Sequence, residues 1–140
     1  MIDRERGSAA IELAIIAPAV IAVFVTLMIA GRTVIADQSI HAVAFDAART
    51  ASLSRDAGAA WVDARQAATA ALAAQQLNCQ RIDVRVDTSQ FSRPLGEPAS
   101  VTVTVECDVT FADIALPGMP GGRTLTATFT SPLDQYRTRS

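Results

Sequence analysis

The chain has 140 residues, half of them hydrophobic but only 5% aromatic, with no lysine and a formal net charge of −2. That length allows one small domain beside a membrane segment and not two, and a pI near 5.2 with scattered arginines excludes a basic nucleic-acid-binding surface. Alanine is the commonest residue, so the core of the soluble part is expected to be a modest one of Val, Ile, Leu and Ala.

Residues 1–7 form a hydrophilic leader with Asp3, Arg4, Glu5 and Arg6 set directly against an apolar run. From Leu13 to Gly31 no side chain is charged, and Glu12 is the one ionisable group between Arg6 and Arg32. At about 1.5 Å of rise per residue such a run reaches the roughly 30 Å hydrocarbon thickness of a bilayer, so 8–31 reads as one transmembrane helix. A secretory signal would be shorter and end in a small-residue cleavage site, whereas this run continues into amphipathic sequence and is expected to stay attached. Arg4 and Arg6 on one flank, against Arg32 and then no further arginine until Arg49 on the other, favour a cytoplasmic N-terminus and an extracytoplasmic C-terminal domain.

The segment Arg6-Gly7-Ser8-Ala9-Ala10-Ile11-Glu12-Leu13-Ala14, followed by Pro18, resembles the N-terminal signature of the TadE-like family, pseudopilins of Tad (Flp-type) pilus machines. The resemblance covers residues 6 to 32; the Ser131–Arg137 ending is similar to the tails of some members, and the middle is similar only in layout. It implies cleavage by a prepilin peptidase between Gly7 and Ser8, which would leave Ser8 first and Glu12 fifth in the mature chain. It also implies that Glu12 pairs with the first residue of a neighbouring pilin or pseudopilin subunit during assembly. Leu13 departs from the pattern, since members commonly carry an aromatic residue after the glutamate.

Independently of that resemblance, an ionisable group within a membrane segment is costly and is usually paired or functional. The alternative for Glu12 is a carboxylate one turn inside the interface that snorkels back to water. Pro18 lies inside the apolar helix, where it removes a backbone donor and crowds the carbonyl of Ala14, so a kink or loosening is expected. Ala10, Ala14, Pro18, Ala22, Thr26 and Ala30 recur every four residues, a small-residue stripe that would let membrane helices approach closely; abundant alanine produces such a stripe by chance as well.

After Gly31 spacings of three and four continue without proline, so the helix is expected to run on through 32–54, with Val34, Ile35, Val43, Phe45 and Leu53 as its apolar positions. His41 has no second histidine beside it and reads as a surface or groove residue rather than a metal ligand. Ser54-Arg55-Asp56-Ala57-Gly58 marks a turn. A second helix over 59–77 would pack through Trp61, Val62, Ala68, Leu72 and Leu77, with Trp61 expected in the core.

Beyond Gln80 the period changes from helical to alternating. Ile82, Val84 and Val86 predict a strand over about 81–88; Val101 to Phe111 predict one over 100–111; Leu125, Ala127 and Phe129 predict a third over 123–131. Turn formers at Ser92–Pro98 and Leu116–Gly122 join them, so the fold class is α+β: a long N-terminal helix, a second helix and a three-stranded antiparallel meander within an exported domain, 32–140. If Ile82 faces Val105 and Val84 faces Val103, Cys79 comes beside residue 107 or 108, close enough for a disulfide to Cys107. Export into an oxidising compartment would favour that bond; two buried thiols are the alternative.

Asp83 and Asp87 share a strand face, but their alternation with Arg81 and Arg85 suggests a neutralised solvent surface rather than an acid–base pair. With no phosphate-binding glycine loop, no nucleophile beside a histidine, no catalytic constellation and no cofactor or metal motif, the expectation is a protein that is not an enzyme. Two readings remain: a minor pilin-like subunit engaging lipid, a prepilin peptidase, other pilin-type subunits and the Tad secretion machinery, or a permanently anchored binding module of a secretion or envelope complex.

Overall fold

A computed structural model describes residues 3–134, with side chains from residue 11 onward; Tyr136 lies outside the described residues. The chain forms a 51-residue helix α1 (Asp3–Leu53), α2 (Ala57–Ala74), β1 (Arg81–Asp87), β2 (Ser100–Thr110), a four-residue helix α3 (Phe111–Ile114) and β3 (Gly122–Pro132). The three strands form one antiparallel sheet in the order β1-β2-β3, the expected meander, and α1 and α2 cover one of its faces.

On α1 the buried positions are Ala36, Ser39, Ile40, Val43, Ala44, Ala47, Ala48 and Ala51, an unbroken three-and-four stripe. Of the expected apolar positions only Val43 joins this stripe: Val34, Ile35 and Leu53 are exposed, and the partly exposed Phe45 meets Phe129 edge-on, with ring centroids 4.8 Å apart. From α2 the matching stripe is Ala60, Ala64, Ala68 and Leu72. Alanine on both sides leaves room for the two helix axes to approach closely.

Trp61 and Val62 are not in this core. The rows that pack are Ala60 and Ala64, which turns the neighbouring Trp61 outward to 46% exposure, with the Arg65 guanidinium 4.7 Å from its ring centroid. Asp56 starts α2 two residues before the expected position 59, its carboxylate accepting the Ala59 N–H at 2.8 Å. At the other end the helix stops at Ala74 rather than 77. The Gln76 N–H bonds to the Ala73 carbonyl and the Leu77 N–H to that of Leu72, a Schellman closure that places Gln76 at φ 55, where glycine is the usual occupant.

In β2 the alternation is complete: Val101, Val103, Val105, Cys107 and Val109 are buried toward the helices. Phe111 does not continue it. Thr110 caps α3 through its hydroxyl, which accepts the Asp113 N–H, and Phe111 leaves the strand as the first residue of that turn. On the solvent face, cross-strand hydroxyl pairs join Thr102 to Thr130 and Thr104 to Thr128, each at 2.9 Å. Arg85 bridges Asp83 at 2.9 Å and Glu106 at 3.2 Å, so Asp83 belongs to a balanced surface network. Asp87 is separate from it; hydrogen bonds from the Ser89 hydroxyl and backbone N–H hold its carboxyl below the ordinary aspartate value.

The β1–β2 register differs from the expected one by two residues: Ile82 faces Cys107, Val84 faces Val105 and Val86 faces Val103. A slip of two leaves every side chain on its own face, so apolar matching does not choose between the two registers. Cys79 and Cys107 are nevertheless joined as a disulfide, with Cα atoms 5.3 Å apart. Gln80 donates to the Asp108 carbonyl at 2.7 Å and the chain turns before β1 begins, which carries Cys79 back to Cys107 from outside the ladder.

Candidate functional site: the uncovered half of the first helix

Among the described residues, none of α1 from Ile11 to Ile35 is buried. Ile11, Leu13, Ile15, Ile21, Phe24, Leu27 and Met28 are all largely exposed, and the first buried residue is Ala36. The most apolar 18-residue window has a mean hydropathy of 2.8 and none of its residues is buried. Single exposed apolar side chains are ordinary on a soluble surface; a continuous sleeve of them about 35 Å long is not, and marks a segment built to be surrounded by lipid or by other helices.

Glu12 is exposed at the start of this sleeve, ahead of the uncharged run. The helix continues through Pro18, so the loss of one backbone donor is absorbed within α1 rather than ending it. Thr26 would be the polar liability in the middle of the run. Its hydroxyl donates to the Ala22 carbonyl at 2.8 Å, which satisfies it without any partner outside the helix.

Ala14, Pro18, Ala22, Thr26 and Ala30 are exposed apart from their own helix, and Ala22, Val23, Thr26 and Leu27 border a shallow depression. Every fourth residue advances about 40° beyond a full turn. The stripe therefore winds around the helix and suits a partner that crosses at an angle, as rows at spacing four do, rather than one lying parallel. The side chains of Ser8 and Ala10, and the surroundings of Gly7, lie outside the described residues.

At the foot of the sleeve α1 enters the folded domain. Arg123 at the start of β3 donates to the Asp37 carboxylate at 2.7 Å, and Arg32, Ile35, Ala36 and Ser39 line a groove with Gln75, Leu77, Asp113 and Ile114. Neither Asp37–Arg123 nor the α3 contact was foreseeable from periodicity, because each joins residues about eighty positions apart. The apolar alternation itself runs on through Phe111 and gave no sign of the turn there. The distribution of charge is plain: the uncovered half carries Glu12 and then nothing ionisable until Arg32.

Searches of curated proteins and of solved structures give no match to this chain. Residues 7–49 match the family model described as TadE-like protein, a span that begins at the glycine of the signature, takes in Glu12 and the whole uncovered sleeve, and ends inside the alanine stripe. The TadE-like family is associated with Tad pilus assembly, and the similarity of this chain to it lies along this helix.

Proposed function

We propose that the chain is a minor pilin-like subunit, a pseudopilin, that takes part in assembly of a Tad-type pilus through the uncovered half of α1. The observation that carries this reading is the coincidence on one helix of the TadE-like match and an apolar surface left wholly unpaired by the chain's own fold. The helix first holds the protein in the cytoplasmic membrane, N-terminus inside and domain outside. A prepilin peptidase removes residues 1–7, and the helix then packs with those of other pilin-type subunits. Glu12 sets axial register against a neighbouring Ser8 amino group. The protein performs no catalysis and takes no cofactor; its partners are lipid, the peptidase, sister subunits and the Tad machinery.

The competing reading is a permanently anchored binding module whose α1 never leaves the bilayer. One experiment separates them. In cells whose only copy carries Glu12→Leu, the protein is expected at normal membrane level, because removing a polar group favours insertion, while surface pili are lost. Mass spectrometry of the wild-type product from the same cells is expected to begin at Ser8. Normal piliation, or residues 1–7 retained throughout, assigns the chain to the anchored module.

A further inference from the structure

We propose that the connection between β2 and β3, with Leu116 and Met119 at its tip, rests in the interfacial layer of the bilayer from which α1 emerges. The proposal depends on the membrane-spanning reading of α1 and adds a second, independent point of contact.

Position comes first. β2 runs toward the end of the domain where α1 emerges, and β3 starts back from it with Arg123 bonded to Asp37. Between them, Asp113 and Ile114 border a groove shared with Arg32, Ile35 and Ala36. Arg32 directly follows the last residue of the uncharged run, so this connection lies within about one helical turn, roughly 5 Å, of the end of the span. The chain from Leu116 to Gly121 extends from that level.

Its chemistry fits that position. Residues 114–122, Ile-Ala-Leu-Pro-Gly-Met-Pro-Gly-Gly, contain no charged side chain. Leu116 and Met119 are 44% and 43% exposed, and Val34 and Ile35 are bare on the helix at the same end. The backbone is prepared for a poorly hydrated layer: Phe111 N–H bonds to the Gly121 carbonyl, Leu116 N–H to that of Phe111 and Met119 N–H to that of Leu116. Pro117 and Pro120 have no N–H to desolvate. Gly121 at φ 96 closes the loop, and Gly122 lies so near the Val109 carbonyl that a Cβ there would collide with it.

The opposite end of the sheet differs. The β1–β2 connection carries Arg93 and Glu97, tucks Phe91 into the core and leaves one exposed leucine, Leu95. Among the described residues an uncharged apolar loop is thus present only at the end from which the helix emerges, and a lipid interface continuous with the helix is the surrounding that both features share.

The test uses the full chain, carrying Trp61→Phe, reconstituted in phosphatidylcholine–phosphatidylglycerol vesicles whose acyl chains are brominated near the headgroup end. Single tryptophans are placed by Leu116→Trp, Met119→Trp, Leu95→Trp or Met28→Trp, with circular dichroism confirming the fold of each. Blue-shifted emission lost to bromine is expected at positions 116, 119 and 28, and unquenched emission at 95. Quenching at 28 with emission at 116 and 119 no weaker than at 95 overturns the proposal while leaving the spanning helix intact, and would give the loop to a protein neighbour. Absence of quenching at 28 removes the spanning helix and the proposal together.

Discussion

Cys79 and Cys107 are the one covalent link between the α2–β1 connection and the central strand. Cys107 is fully buried in the core face of β2, while Cys79 sits in the connection after α2 with its N–H bonded to the Leu77 carbonyl. Closing a loop between residues 28 apart removes denatured-state entropy equivalent to about 3 to 4 kcal/mol. Replacing both cysteines by alanine in the full chain is expected to lower stability by roughly that amount, read as a fall in the urea midpoint of the sheet signal. An unchanged midpoint would mean that the Schellman closure at Gln76 and the Gln80–Asp108 bond already hold the connection.

At the scale of elements, α1 has two halves with opposite logic. Residues 36–51 bury a stripe that is mostly alanine, with Ile40 and Val43, and residues 11–35 place Ile, Leu, Val and Phe all around the cylinder. The first pattern trades buried area per residue for close approach of backbones; the second is apolar on every side, as suits a helix with no single preferred face. Close approach is intolerant of added volume. Ala64→Leu, at a fully buried position on the α2 stripe, is expected to cost about 1 to 3 kcal/mol through overpacking. Ala70→Leu, on the exposed side of the same helix, is expected to stay within about 0.5 kcal/mol of the parent. Thermal unfolding of the pair checks this, and equal losses would place the helix contact elsewhere.

For the whole molecule, every buried residue among those described lies at position 36 or beyond, so the folded domain draws no core from the sleeve. A chain beginning at Thr33 should therefore keep the sheet, both helical segments and the disulfide, and should stay in aqueous solution where the full chain is expected to need detergent. Far-ultraviolet circular dichroism and sedimentation test it; aggregation of the shortened chain would show that Val34, Ile35, Leu116 and Met119 still need a cover. The arrangement is that of an independent head on a stalk, which is the form the proposed role requires.

Much of this was determined by the sequence alone, because it rests on local periodicity and composition: the uncharged run, the continuous helix, the shift to alternation after Gln80, and the order of the meander. Glu12 and the Gly7–Ser8 junction stand out by motif, without any tertiary information. What only the tertiary structure decided are choices between arrangements that look alike locally. A two-residue slip of β1 against β2 preserves both faces, so apolar alternation alone could not select the Ile82–Cys107 register that the sheet adopts. Alanine carries almost no hydrophobic contrast, so the packing faces of α1 and α2 were hidden behind Val34, Ile35, Trp61 and Val62, whose larger side chains are exposed. The end of the domain that faces the apolar span was likewise set by Asp37–Arg123 and by the groove between Arg32 and Ile114, contacts across some eighty residues that no local pattern encodes.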